Sequence, residues 1–212
     1  MMDTLARLAV PALVGVFLTA ALVSLMTGWR LRFAVLAAQY LLTATLWQVA
    51  AVKAVVGLLV VAILGLSGRQ VSLSRKAAET AAEATPPGRL AALRRIEFQT
   101  NLPFRSVAVL LVTVATWYLV TESGYALREL PLSLNLAGYL LITLGLLSLG
   151  LTEEPMSAGI GLLMVLSGFE VLYAPIERSL KVAALLAAVN FGVALAISHL
   201  ALLRYTGRGR EA

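Results

Sequence analysis

The sequence predicts an all-α fold, a polytopic bundle of about seven transmembrane helices with the N-terminus outside and the C-terminus inside. Three observations lead to this prediction. Of the 212 residues, 60% are hydrophobic and only 13% are charged, whereas soluble domains carry about 25% charged residues. The apolar residues form runs close to the ~20 residues that cross a bilayer. Most basic residues lie between these runs, where Lys and Arg set the orientation of a membrane protein.

Residues 1–67 are predicted to contain the first three spans. The first span covers 5–26 and carries Pro11 in its first half. The apolar run 33–67 would reach about 50 Å as a single helix, well beyond a hydrocarbon core of about 30 Å. We therefore divide this run near 46–48 into the second and third spans.

Residues 68–103 form the only polar segment of any length and are predicted to be a basic cytoplasmic loop. Leu90, Leu93 and Ile96 fall on one side of a helix, and charged residues occupy the other positions. This pattern is typical of a helix that lies in the lipid headgroups. A solvated linker is the alternative.

The second half of the chain divides into 104–133, a fourth span with an outer loop, and 134–212, a three-span module with a basic tail. The four spans are predicted at 104–121, 132–151, 156–173 and 180–205. Prolines support these boundaries, because the N–H that proline lacks has no partner in a first helical turn. Pro103 and Pro131 precede the fourth and fifth spans, Pro155 opens the sixth, and Pro175 opens the turn into the seventh.

The distribution of basic residues predicts the orientation. Seven spans with the N-terminus outside place twelve of the 17 Lys and Arg residues inside and four outside, with Lys53 in the membrane. If the chain crossed the membrane only once between 33 and 67, Arg30 and Arg32 would lie on the opposite side from the basic loop. The excess of basic residues on one side of the membrane would then be smaller. The chain is therefore expected to be an integral membrane protein in contact with lipid.

The composition also excludes several classes of site. The chain has no Cys and one His, His199, so it cannot supply iron–sulfur ligands, two haem histidines or a zinc site on its own. We expect no cofactor in this chain and no metal site. The net charge of +6 comes from loops that flank spans and touch anionic lipid, so nucleic acid is not an expected partner.

Glu170 is the first candidate for a functional residue, because it stands inside the sixth apolar run. An ionisable side chain at the centre of a transmembrane helix costs about 2.5–3.5 kcal/mol on insertion scales. In the predicted topology Lys53 lies at a similar depth, in the outer part of the third span. We predict that Glu170 binds and releases a proton or ion while Lys53 tunes its affinity. The alternatives are a structural ion pair or a Lys53 that reaches the headgroups.

Asn190 lies near the middle of the seventh span and can hold a water molecule or bond to another helix. His199 follows nine residues later, which places it on the opposite helix face from Asn190. A direct chain of groups from Glu170 through Asn190 to His199 is therefore not expected. Other polar residues of the second span are predicted to line a hydrated interior as accessory groups: Gln39, Tyr40, Thr43 and Gln48.

A remote alternative is an intramembrane serine protease. Gly65-Leu66-Ser67-Gly68 has the G-x-S-G form, and His199 would lie on the same side of the membrane as Ser67, as a Ser–His dyad requires. Ser67, however, ends an apolar run and precedes Arg69 instead of opening a buried helix. Short Gly/Ser patterns are also common in membrane helices.

The last three spans resemble the K-type small subunit of respiratory complex I and its relative, the C-type small subunit of the Mrp cation antiporters. Gly168-Phe169-Glu170 matches the G-L-E of that family, and residues 185–195 match the apolar run of its next helix. The four preceding spans, with Lys53 in the third, look like the longer hydrogenase-4 component E family. The chain departs from the family at Asn190, where the family has a second acid.

The resemblance implies a membrane-arm subunit, in a prokaryotic cytoplasmic membrane, of a multi-subunit complex that couples redox chemistry or ion exchange to proton or sodium translocation. The chain would not be catalytic on its own. Its expected partners are antiporter-like and hydrogenase- or complex I-like membrane subunits. A non-conducting structural or assembly subunit of such a complex is the alternative, and the absence of the second acid favours it.

Overall fold

The computed structural model describes residues 2–25, 29–45, 56–66, 68, 89–152, 154–173, 175–176 and 179–208. Seven helices lie within these residues: α1 (Met2–Leu25), α2 (Trp29–Thr45), α3 (Val56–Leu66), α4 (Arg89–Thr121), α5 (Leu132–Gly150), α6 (Pro155–Tyr173) and α7 (Leu180–Arg208). The fold is therefore helical, as predicted.

Four helical segments are long and apolar enough to cross a membrane: Leu102–Thr121, Leu132–Gly150, Pro155–Tyr173 and Lys181–Leu203. Shorter apolar segments lie in the other three helices, at Leu13–Leu25, Leu31–Thr43 and Val56–Leu66. The four long segments indicate that the chain is an integral membrane protein.

The apolar run 33–67 does not form one straight helix, because its described parts, α2 and α3, lie against each other; the predicted division near 46–48 falls outside the described residues. Gly57 of α3 lies against the ring of Tyr40 of α2, so closely that a Cβ on Gly57 would be 2.6 Å from Tyr40 Cγ. In one straight helix these two residues would be about 25 Å apart. The structure therefore has two helices side by side where a single one would not fit the bilayer.

Proline marks the start of two helices as predicted, but one proline boundary differs. Pro131 directly precedes α5, and Pro155 is the first residue of α6. Pro103, predicted to separate a loop helix from the fourth span, instead lies inside the continuous helix α4. A proline in a helix interior costs a backbone hydrogen bond and some strain. Pro103 stands at the start of the apolar segment, where water or neighbouring groups can satisfy the freed carbonyl.

Helices α5 and α6 form the centre of the bundle. Helices α1 and α4 pack against α5, while α2 and α7 pack against α6. Two thirds of the apolar segment of α6 is buried, against 17% of that of α4. The outer surface of α4 exposes large apolar side chains such as Phe104, Leu110 and Trp117. In a membrane this surface faces lipid or another subunit.

Two pairs of glycines bring α5 and α6 into close contact. A Cβ on Gly145 would lie 2.8 Å from the carbonyl oxygen of Gly161, and a Cβ on Gly168 would lie 2.7 Å from that of Gly138. Small residues let helix backbones approach closely in membranes, where association depends on packing. The glycines are spaced seven apart on each helix, so the two contacts recur along one face. This close approach explains why α6 is so deeply buried.

One end of the bundle carries a cluster of charged groups. The Arg105 guanidinium donates a hydrogen bond from Nη2 to the carbonyl oxygen of Leu151, at 2.8 Å, at the end of α5. Arg32 is buried and lies within electrostatic range of both Arg105 and Glu154. Ser157 in turn donates to Glu154 Oε2 at 3.1 Å. The start of α2, the start of the apolar part of α4 and the α5–α6 turn therefore lie at the same end of the bundle.

The opposite end is organised by Asn135 in the first turn of α5. Its side-chain oxygen accepts from Leu127 N at 2.9 Å, and its Nδ2 donates to the carbonyl oxygens of Leu127 and Leu130. Every polar group of this buried amide therefore has a partner. Asn135 fixes the loop that joins α4 to α5.

Helices α4 and α5 are also linked by a hydrogen bond between Thr116 Oγ1 and Thr143 Oγ1, at 2.9 Å. We expect Thr116→Val to lower the free energy of unfolding by about 0.6 kcal/mol, the average for interhelical hydrogen bonds in membranes. Thermal unfolding in detergent, in a double-mutant cycle with Thr143→Val, measures the coupling. Strictly additive effects of the two substitutions would contradict a bond between the two hydroxyls.

Candidate functional site

Glu170 lies near the end of α6 and is buried, with 6% of its surface exposed. Asn190 of α7 is also buried, and its Nδ2 donates a hydrogen bond to Glu170 Oε1. Helices α6 and α7 follow each other in the chain and run antiparallel, so Gly159 near the start of α6 meets Ile197 in the second half of α7. The hairpin thus brings the two candidate residues of the sixth and seventh spans into direct contact.

Helix α2, which packs against α6, carries further buried polar residues. Gln39, Tyr40 and Thr43 are all buried, and Tyr40 lies within electrostatic range of Glu170. The hydroxyl of Thr43 donates within its own helix, to the carbonyl oxygens of Gln39 and Tyr40, each at 3.0 Å. The Thr43 hydroxyl therefore has partners within its own helix, whereas Gln39 and Tyr40 have buried polar atoms without a hydrogen-bond partner among the described residues.

Several buried polar atoms of α2, α6 and α7 have no hydrogen-bond partner in the described part of the chain. They are both side-chain polar atoms of Gln39, the Tyr40 hydroxyl, the Ser167 hydroxyl, Asn190 Oδ1 and, further along α7, the Ser198 hydroxyl. Ser167 precedes Glu170 by three residues, which places both on one side of α6. Buried polar groups are almost always hydrogen-bonded in proteins. Of these residues, Asn190 bonds directly to Glu170, Tyr40 lies within electrostatic range of it, and Ser167 lies one helical turn before it.

Most of these residues were predicted from the sequence, but Ser167 was not singled out. The sequence feature that could have identified Ser167 is its position one helical turn before a membrane-embedded acid, because residues three apart share a helix face. A serine in a span is common, so this spacing alone did not distinguish it from an ordinary packing residue.

His199 lies away from the pair, as its nine-residue separation from Asn190 predicts. His199 is exposed, while Asn190 is 1% exposed. Lys53, Gln48 and Ser67 lie outside the described residues. The modulating role of Lys53, the accessory role of Gln48 and the Ser67–His199 dyad therefore stay predictions.

The arrangement offers one carboxyl group in an apolar bundle, bonded to a neutral amide. Among the residues that the structure describes, no three or more His, Cys, Asp and Glu side chains are grouped to hold a metal ion. A carboxyl group in such a place can exchange a proton or pair with a monovalent cation. An amide partner suits exchange, because it has both a donor and an acceptor.

Comparison of the chain with protein-family models, with curated proteins and with solved structures finds no match.

Proposed function

We propose that this chain is a membrane-arm subunit of a multi-subunit ion-translocating complex, and that Glu170 is the group that binds and releases the translocated proton or sodium ion. The observation that carries the proposal is the contact between Glu170 and Asn190 inside the bundle. A carboxyl group buried in a membrane protein is costly and is typical of ion and proton pathways.

The chemistry of Asn190 supports a group that changes its state. An ionised carboxyl only accepts hydrogen bonds, and the Asn190 amide nitrogen donates one to it. A protonated carboxyl donates one bond, which the Asn190 amide oxygen can accept after a rotation of the side chain. The pair thus remains bonded in both protonation states. We propose that Lys53 modulates the affinity of Glu170 for its ion.

The wider assignment rests on the resemblance to the hydrogenase-4 component E family and the small subunits of complex I and Mrp antiporters. We propose seven spans in a prokaryotic cytoplasmic membrane, with the N-terminus outside. The partners would be antiporter-like and hydrogenase- or complex I-like subunits. The exposed apolar surfaces of α4 and α7 are consistent with such neighbours as well as with lipid.

A scaffold subunit that conducts nothing is the second candidate. Asn190 stands where the resembled family has a second acid, and it bonds α7 to α6. Polar contacts of this kind also serve to hold membrane helices together. Under this alternative the Glu170–Asn190 pair is a structural link.

The test of the proposed function is purification of the chain from its own membrane, followed by ion-flux measurements in vesicles. We expect antiporter-like subunits and iron–sulfur proteins to co-purify, and the assembly to carry protons or sodium ions in a manner that depends on Glu170. A chain that purifies alone, or an assembly whose flux does not depend on Glu170, would contradict the proposal.

The proposed topology is directly testable because the chain has no native cysteine. Single cysteines at Ser123 and Thr152, which lie in the turns after α4 and α5, should face opposite sides of the membrane. In intact cells a membrane-impermeant maleimide is expected to label Ser123→Cys at least tenfold more than Thr152→Cys. Permeabilising the cells should make the labelling of the two variants equal. Equal labelling before opening, or the reverse pattern, would overturn the proposed orientation.

A further inference from the structure

We propose that Tyr40 and Gln39 of α2 and Ser167 of α6 hold internal water against the Glu170–Asn190 pair, and that Tyr40 thereby positions the Glu170 carboxyl. The inference deepens the proposed function, because it concerns the same site. The presence of the water itself does not depend on ion translocation. Tyr40 would be a positioning residue, since it acts on Glu170 through the water.

The placement of Tyr40 is the first observation behind this proposal. The side chain is 3% exposed, and its hydroxyl is buried with no hydrogen-bond partner among the described residues. Its ring is held against Gly57 of α3, where any Cβ would collide with it. Tyr40 also lies within electrostatic range of Glu170. A buried tyrosine hydroxyl without a bond of its own thus lies within electrostatic range of the carboxyl group.

The second observation is that the unsatisfied atoms come from three helices. Gln39 and Tyr40 lie on α2, Ser167 lies on α6, and Asn190 Oδ1 comes from α7. Both α2 and α7 pack against α6. An isolated unsatisfied atom is a local defect, but several on α6 and on the two helices that pack against it, one of them on the residue that bonds to Glu170, indicate a shared ligand.

The kinds of atom identify that ligand as water. The set contains donors, which are the Gln39 amide nitrogen and the two hydroxyls, as well as acceptors, which are the Gln39 and Asn190 amide oxygens. A cation would satisfy the acceptors and leave the Gln39 nitrogen unpaired. Water both donates and accepts, and a buried water molecule typically makes about three hydrogen bonds to such groups.

The first test is an experimental map of the full chain at a resolution that shows ordered water, by cryo-EM or crystallography. We expect solvent density bonded to the Tyr40 hydroxyl and to Asn190 Oδ1 or Ser167 Oγ. A dry site, or one in which these side chains bond directly to each other, would overturn the inference. Ordered water around a Glu170 whose protonation never changes would contradict the proposed function and leave this inference intact.

The second test measures the positioning by infrared difference spectroscopy of the purified full chain or its complex, between acidic and alkaline pH. The band of protonated Glu170 is the one that Glu170→Gln removes. In Tyr40→Phe, which lacks only the hydroxyl, we expect this band to move to higher wavenumber, because loss of a hydrogen bond stiffens the carboxyl C=O. We also expect a water band that shifts in H₂¹⁸O to disappear.

The matched control is Tyr118→Phe, because Tyr118 is exposed on the outer surface of α4. That substitution should leave both bands unchanged. If Glu170 gives no band between the two pH values, the water band is the remaining readout. Its presence in the wild type and its loss in Tyr40→Phe would support the inference. If the Glu170 band and the water band of the wild type are both unchanged in Tyr40→Phe, Tyr40 has no positioning role.

Discussion

Replacement of Glu170 by glutamine is expected to lower ion translocation by the assembled complex about 100-fold, the low end of what a positioned proton-transfer group contributes. Glutamine has nearly the same shape as glutamate but cannot exchange a proton and carries no charge. Its amide oxygen can still accept the hydrogen bond from Asn190 Nδ2 that the carboxylate accepts now. The contact between α6 and α7 should therefore survive, and only the switchable group is lost.

The measurement is proton and sodium flux into vesicles that contain the purified complex, with the composition of the assembly checked by size-exclusion chromatography. Glu129→Gln is the matched control, because Glu129 is exposed in the loop between α4 and α5 and its loss makes the same change in net charge. Undiminished flux in Glu170→Gln with normal assembly would favour the scaffold function. Loss of assembly in the same variant would indicate that the pair is a structural link.

The ends of the later helices were predictable from the sequence because turns in this chain carry local signals. Pro131 and Pro155 stand at helix starts, where proline fits without loss of a hydrogen bond. Pro103 has the same chemistry but lies within α4. The signal is ambiguous because a proline near a membrane boundary is tolerated both at a helix start and inside a helix.

The functional pair was predictable in part. Glu170 and Asn190 stand out because they are polar residues in apolar runs, and a helical hairpin brings them to similar depths. The contact between the two side chains could not be predicted from the sequence. Helices in lipid are apolar on every side, so they have no amphipathic pattern that shows the buried face. The same reason explains why Tyr40 and Gln39 could be named as polar residues but not assigned to the Glu170 site.

A second signal for helix contacts was present in the sequence as four glycines. Gly138 and Gly145 are seven residues apart, as are Gly161 and Gly168. A repeat of seven keeps one side of a helix turned toward a partner. The structure uses these positions as the closest contacts between α5 and α6. The spacing identifies the faces but not the pairing, which depends on the length of the turn between the two helices.

Replacement of Gly145 by alanine is expected to lower the free energy of unfolding by about 1–3 kcal/mol, the usual cost of an extra group in a well-packed core. The added Cβ would lie 2.8 Å from the carbonyl oxygen of Gly161 and 2.9 Å from the backbone nitrogen of Val165. Backbone atoms cannot rotate away as a flexible side chain can. Helix α6 must therefore move away from α5, which also weakens the neighbouring contact between Gly138 and Gly168.

The measurement is thermal unfolding of the purified protein in a mild detergent, followed by the loss of the monodisperse peak in size-exclusion chromatography. Gly192→Ala is the matched control, because Gly192 lies inside α7 with no atom within 4 Å of the position of an added Cβ. Alanine is a better helix former than glycine by about 0.5–1 kcal/mol, so this control should be as stable as the wild type or more stable. Equal stability of Gly145→Ala and Gly192→Ala would mean that α5 and α6 are not held together by these glycines. The central position of α6, and with it the burial of Glu170, would then need another cause.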